Sequence, residues 1–381
     1  MSEPSPAWLQ VLLAAQDAPS PWHAALDHCG GIEAVRAAPA ATLAACGIGT
    51  EARQRLARTD ADRIASWQQW LSQPNHSLVT LDDALYPSRL RAVPGAPLAL
   101  WLRGARADLL EAPQLAIVGA RNATTGGRQN ARAFAQQFGR SGLCVISGLA
   151  AGIDAAAHAG ALQAGGGTLA VLGNGIDTVY PSENTALAQR IAAEGLIVSE
   201  YGPGTPPRRY RFPARNRLIA ALALGVLVVE AGPQSGSLIT ARLAGDLGRD
   251  VFAIPGSIHN PLSRGCHRLI RDGARLVETT NDVLTELAPV LRPFLEDKID
   301  GQSDQPERGA EDGAMPAQRP ESTLSPEYVE LLKSIGFDPI GINDIADRST
   351  LTTAELSSML LLLELEGHVE ALPGGRYMRL S

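Results

Sequence analysis

A chain of 381 residues is longer than one ordinary domain and points to two or three. Its 45% hydrophobic content allows a sizeable core, while four scattered cysteines without a C-x-x-C pair exclude a disulfide framework or zinc ribbon. The net charge of −7 averages unlike segments: residues 205–275 carry eleven arginines against four acids, and residues 296–321 carry eight acids against three basic residues. A basic surface on the middle of the chain therefore survives the acidic total. The first residues lack the basic start and apolar run of a signal peptide, and no stretch approaches a membrane span. A cytoplasmic location with no membrane partner is expected.

Residues 1–75 read as short Ala-rich helices, a SAM-like or helix-hairpin-helix-like domain. The Gly47-Ile48-Gly49 turn between two helical stretches could bring backbone N–H groups to a phosphate, with Arg53, Arg55 and Arg58 adding charge. The plainer and favoured reading is a small packing module in which Gly-Ile-Gly caps one helix and turns the chain.

Residues 78–290 alternate strands and helices. Leu115–Gly119, Leu143–Ser147, Thr168–Leu172, Leu196–Ser199, Val226–Glu230 and Val251–Ile254 are short apolar runs suited to strands buried on both faces. Helical stretches lie between them at Gly127–Gly139, Ile153–Ala164, Ala186–Ala193, Ser237–Leu247 and Arg264–Asp272. The predicted fold is α/β, an extended Rossmann-like, doubly wound and mainly parallel sheet, with its function in the loops after the strands.

Residues 291–321 are rich in Pro, Asp, Glu, Gln and Gly and read as a flexible acidic linker. Residues 322–381 then give helices at Tyr328–Ile335, Gly341–Arg348 and Thr353–Glu366, followed by a hairpin over 367–380. That is the layout of a winged-helix domain. Its second turn helix holds three glutamates and no Lys or Arg, which favours a protein-interaction or scaffolding role over duplex binding.

Three glycine-rich strand-to-helix loops stand out. Gly119-Ala120-Arg121-Asn122 can form an anion site or simply a tight turn, with Arg121 placed to fork onto a phosphate. Ser147-Gly148 opens a second loop that leads to Asp154 and His158, an acid/base or metal pair in one reading and a helix cap with a packed histidine in the blander one. Gly236, Ser237 and Thr240 start a third helix. Tyr180-Pro181 reads as a structural turn that borders the same loops. The most informative segment is Arg208–Arg217, five arginines interleaved with Tyr210 and Phe212 directly before a predicted helix. Aromatic stacking combined with phosphate neutralisation is how single strands are bound with little sequence preference. Several anion-friendly loops along one sheet edge suit a chain of phosphates.

Taken in order, I-V-G-A-R, S-G-L-A-x-G-I-D-x-x-A-H, G-x-D-x-x-Y-P, F-P-x-R-N-R-x-I-A, S-G-S-L-x-T-A and G-R-x-V-F-A-x-P-G resemble the bacterial DNA-processing protein A family (DprA/Smf) between about 81 and 278. The resemblance implies a non-enzymatic protein that binds single-stranded DNA, protects incoming strands and loads the RecA recombinase during natural transformation. It also implies a homodimer formed through the Rossmann-like core, and no cofactor or metal. Carried over by position, Gly119, Arg121, Ser147, Gly148, Arg211, Phe212, Arg215, Asn216, Arg217, Gly236, Ser237, Thr240 and His267 would form or border the DNA pocket. Two positions depart from the family pattern: Ala120 replaces the usual Ser, and His267 stands where Asn is usual, which would make DNA contact there pH-sensitive.

Two rivals are weaker. A Rossmann-like nucleotide hydrolase of the lysine-decarboxylase-like family calls for a P-G-G-x-G-T loop followed by a catalytic Glu, and neither stands at the matching loop. A duplex-DNA regulator rests on the winged helix alone.

Overall fold

The computed structural model describes residues 4–58, 60–300, 326–335, 339–349, 351, 353–365, 367–372 and 375–380. Among the described residues, six helices open the chain: α1 (Pro6–Ala15), α2 (Ser20–Cys29), α3 (Ile32–Ala37), α4 (Ala40–Ala45), α5 (Thr50–Ala57) and α6 (Ala61–Leu71). The α4–α5 turn buries Ile48, while Arg53 and Arg55 donate to the carbonyls of Ile48 and Ala14. Both cations are therefore committed to packing, which supports the structural reading of this hairpin.

Two strands follow, β1 (His76–Thr80) and β2 (Ala99–Arg103), flanking the short α7 (Ser88–Arg91). The alternating core then runs β3 (Gln114–Val118), α8 (Thr125–Arg140), β4 (Cys144–Ser147), α9 (Ile153–Gln163), β5 (Thr168–Leu172), α10 (Thr185–Glu194), β6 (Leu196–Ser199), α11 (Arg211–Leu222), β7 (Gly225–Val228), α12 (Gly236–Asp246), β8 (Asp250–Ala253), α13 (Arg264–Arg271), β9 (Arg275–Leu276) and α14 (Thr280–Asp300). Among the described residues these strands form one sheet in the order β1-β2-β6-β5-β4-β3-β7-β8-β9. It is parallel from β6 across to β9, with β1 and β2 added antiparallel at one edge.

The continuous apolar runs explain this arrangement, because β3 to β7 are buried along their whole length. One sheet face packs on α8, α9 and α14 through Ala131, Phe138, Ala157 and Leu287. The other packs on α11 and α12 and shares its core with the N-terminal helices, where Trp8, Val11 and Trp22 join Leu100 and Leu102. The N-terminal helices thus close over the antiparallel edge of the sheet. The chain starts the parallel part at β3, winds out to β6, then returns to β7 on the other side of β3. The β3–β7 boundary is the topological switch point, where open α/β sheets bind ligands.

Helix α11 starts earlier than the sequence suggests. The basic-aromatic run is expected to precede a helix, but the helix begins at Arg211 and contains Phe212, Pro213, Arg215, Asn216 and Arg217. Pro213 is tolerated because the N–H it lacks belongs to the first turn, where no intrahelical acceptor exists.

Helix α14 continues through Leu291, where the linker is expected to begin, to Asp300; residues 301–321 of that linker lie outside the described residues. The C-terminal unit contains α15 (Pro326–Ile335), β10 (Ile340–Gly341), α16 (Ile342–Arg348), α17 (Thr353–Leu365), β11 (Val369–Leu372) and β12 (Arg376–Arg379). Its strands pair in the order β10-β12-β11 over a small core of Leu331, Ile345, Leu356 and Leu360, which is a winged helix. No helix among the described residues is long and apolar enough to cross a membrane.

Candidate single-strand-binding cleft

A cleft of about 590 Å³ opens at the carboxyl ends of β3, β4 and β7, over the switch point. Gly119, Arg121, Phe212, Arg215, Asn216, Gly236, Ser237 and Thr240 all line it, so loops far apart in sequence converge there.

Arg121 stands exposed at the end of β3 and makes no hydrogen bond or ion pair among the described residues. Its guanidinium carbon lies 6.0 Å from the Phe212 ring centroid. Phe212 is half-buried, and its ring leans on Tyr180 at a centroid distance of 5.2 Å. Tyr180 is 46% exposed. The sequence presents it as part of a turn, yet it extends the aromatic surface beside Arg121. Ser235 caps α12 by accepting from the Ser237 N–H, and its hydroxyl lies 2.7 Å from that of Ser237. The cleft thus combines a free cation, the Phe212 ring, which Tyr180 continues beyond the lining, and a hydroxyl-bearing helix start.

Arg215 forms the floor. It is 5% exposed, and its Nη1 donates to the carbonyls of Gly148 (2.7 Å) and Val171. Its Nε donates to Asn216 Oδ1, while Asn216 Nδ2 reaches the Gly236 carbonyl at 3.3 Å. A side chain at position 148 would meet the guanidinium at 2.5 Å, so glycine is required for this close approach. Burial lowers the Arg215 pKa to about 10, opposed by Asp154 and reinforced by Arg121. Arg215 is still charged at neutral pH and holds a fixed positive charge beneath the cleft.

The Asp154/His158 pair is structural, but only the histidine follows the blander reading: the N-cap of α9 is Gly152 with no side-chain bond, and Asp154 ties down the loop before the helix instead of capping it. Asp154 accepts from the N–H groups of Gly148 and Ala150, and burial raises its pKa against the pull of Arg215. His158 is fully buried, 2.7 Å from Thr168 Oγ1, and Thr168 in turn donates to the Val145 carbonyl. Burial, reinforced by Arg215, lowers the His158 pKa to about 3. The ring is neutral and sealed from substrate. No cluster of three metal-ligating side chains occurs among the described residues.

The start of α8 is a tight turn whose dipole is already satisfied. Glu230 accepts from the Thr124 N–H and hydroxyl at 2.9 and 2.6 Å, and Glu370 of the winged helix accepts from those of Thr125 at 3.2 and 3.0 Å. A side chain at Gly127 would collide with the Glu230 carboxylate. The first loop therefore aims Arg121 rather than offering its own helix N–H groups.

The remaining expected residues point elsewhere. Ser147 is buried and donates to the Ile117 carbonyl at 2.6 Å. Arg211 is held by Asp17, and Arg217 by Glu200 at 2.5 Å. His267 lies on α13 with Nε2 2.9 Å from the Gly256 carbonyl, outside the cleft lining. Arg208 and Arg209, by contrast, are exposed and have no side-chain partner among the described residues. They count toward the basic run in sequence, but nothing there separates them from the arginines that are tied down.

Known proteins share this layout. A profile of the DNA recombination-mediator protein A family matches residues 77–288, and one of the DprA winged helix domain matches 315–375. Protein Smf of Escherichia coli is 39% identical over 342 residues, covering 90% of this chain and 87% of its own. The chain belongs to the DprA/Smf family. Within that family, DNA processing protein DprA of Streptococcus pneumoniae is 49% identical over 210 residues, covering 55% of this chain and 73% of its own. An X-ray structure of DprA from that organism superimposes with a TM-score of 0.66 at 37% identity, covering 75% of this chain and 99% of the other. A Helicobacter pylori DNA processing protein A structure, reported for its single-stranded DNA binding mode, gives 0.51 at 30% identity over 56% of this chain and 96% of the other.

Proposed function

We propose that this DprA/Smf protein binds single-stranded DNA in the switch-point cleft. The observation that carries the reading is Arg121, a free cation beside the Phe212–Tyr180 pair and above the fixed charge of Arg215. Bases stack on the rings while Arg121, with Arg208 and Arg209, takes phosphates. Gly119, Asn216, Gly236, Ser237 and Thr240 shape and line the cleft. Ser147, Gly148, Arg211 and Arg217 act indirectly by holding the loops and α11, and His267 fastens the loop after β8. The H. pylori relative's single-strand binding supports the same reading.

The wider role we propose is protection of incoming strands and loading of RecA during natural transformation, in the cytoplasm and without catalysis. A homodimer fits a groove of about 1110 Å³ beside α12 and α13, where Leu238, Leu243 and Leu269 are framed by the Arg242–Asp246 and Arg268–Asp272 ion pairs. The four-part organisation at 1–75, 78–290, 291–321 and 322–381 belongs to the same proposal, with the last helix of the core running on to Asp300 into the segment expected as linker. On the winged helix, Leu361 and Leu362 of α17 are exposed next to acidic Glu364, a surface suited to a protein rather than to phosphates.

Fluorescence anisotropy with oligothymidine and with duplex of equal length, across a salt series, tests the central statement. Tight, salt-sensitive binding that prefers the single strand is expected. Absence of binding at low salt would end this reading and direct attention to release of base or ribose phosphate from AMP.

A further inference from the structure

The basic-aromatic segment is gripped by a part of the chain almost two hundred residues away. Asp17, just past the end of α1, accepts from Arg211 through two bonds, Nε to Oδ1 and Nη2 to Oδ2, both 3.0 Å. The Tyr210 hydroxyl adds a third at 2.8 Å. The Arg211 guanidinium lies against the Tyr201 ring at 4.7 Å, and its Nη1 donates to the Pro206 carbonyl. At the upstream end of the same loop, the Pro203 carbonyl accepts from Arg63 Nη2 at 2.8 Å and Trp67 Nε1 at 3.0 Å. The chain just past α1 and helix α6 thus hold the two ends of the loop that displays Arg208 and Arg209 and delivers Phe212 to the cleft.

We infer that the N-terminal helical unit is a clamp that orders this loop for DNA, with Asp17 as its positioning residue; the inference rests on the single-strand reading of the cleft. An acidic side chain beside a phosphate-binding run weakens attraction to DNA by its charge alone. What Asp17 contributes is order: Arg208, Arg209 and Phe212 are held before the strand arrives, so less freedom is lost on binding.

The test uses the full chain and four variants. Asp17→Asn should expose the loop, so that trypsin cleaves after Arg208 and Arg209 several times faster in the absence of DNA. It should also weaken oligothymidine binding about five- to tenfold, the scale of lost preorganisation of a few side chains. Simple electrostatics predicts the opposite sign, tighter binding on removal of a negative charge. Asp17→Glu, which keeps the charge, should stay close to wild type in both assays. In a Tyr210→Phe/Arg211→Met background, Asp17→Asn should add nothing. Unchanged cleavage together with equal or tighter binding in Asp17→Asn would overturn the clamp. If the wild-type chain fails to bind oligothymidine, the single-strand reading falls, while the cleavage rates still decide whether Asp17 orders the loop.

Discussion

Replacing Arg121 with alanine separates binding from folding more cleanly than any other change in the cleft. The side chain is exposed and makes no hydrogen bond or ion pair among the described residues, so its loss should alter stability by no more than about 0.5 kcal/mol. A charge-assisted hydrogen bond to phosphate contributes about 1.5–3 kcal/mol, which corresponds to a loss of affinity of roughly ten- to a hundredfold. Neutralising one phosphate fewer should also flatten the dependence of log K on log salt by about 0.7. Anisotropy titrations of wild type and Arg121→Ala at several salt concentrations read both quantities, and a thermal melt checks the fold. An unchanged salt slope and affinity with an intact melt would show that Arg121 touches no phosphate, and the cleft would lose its principal cation.

Three further outcomes are expected. Arg215→Ala should behave quite differently from Arg121→Ala, because it strands the buried Asp154 and the Gly148 and Val171 carbonyls; a stability loss of about 3–5 kcal/mol in denaturant melts is expected, and a near-wild-type melt would refute the floor role. Tyr180→Ala should cost about 1–3 kcal/mol of oligothymidine affinity if a base stacks there, and equal affinity would remove Tyr180 from the binding surface. His158 has a folded pKa of about 3 against an ordinary value of 6.5, so the unfolded chain binds more protons between those values. Its contribution to stability is present above pH 6.5 and is lost as pH falls toward 3, at up to about 1.4 kcal/mol per pH unit. Melts of wild type and His158→Gln compared between about pH 7 and 4 should converge as pH falls, and parallel curves would contradict the buried neutral ring.

The parallel strands β3 to β8 are legible because each is a short apolar run bounded by glycines or polar residues and separated from the next by a helix-length segment, whereas β9 is two exposed residues that become a strand only by pairing with β8. β1 and β2 are not, since His76–Thr80 and Ala99–Arg103 become strands through pairing with each other and with β6 under the N-terminal helices. The start of α11 is hidden by Pro213, which reads as a breaker but occupies a first turn. The converging glycine loops, Arg121 and Phe212 are visible as motifs. Tyr180 is visible as a turn bordering these loops but not as a ring against Phe212, because that approach joins segments separated by α10 and β6.

The arginines show why charge is easier to read than function. Five of them fall between 208 and 217, and sequence treats them as one basic patch. Folding sorts them by partner: Arg211 goes to Asp17, Arg217 to Glu200, and Arg215 to two backbone carbonyls, leaving Arg208 and Arg209 facing solvent. A buried arginine with satisfied donors shapes a site and sets its field, whereas an exposed one can release counterions and take a phosphate. The net charge of the segment therefore overstates the number of direct phosphate contacts. If Arg121, Arg208 and Arg209 are the cations that contact DNA, the salt dependence should correspond to about three phosphates, a slope of roughly −2 for single strands. A slope two or three times steeper would mean that the tied arginines are released on binding, and the clamp at Asp17 would then have to open rather than hold.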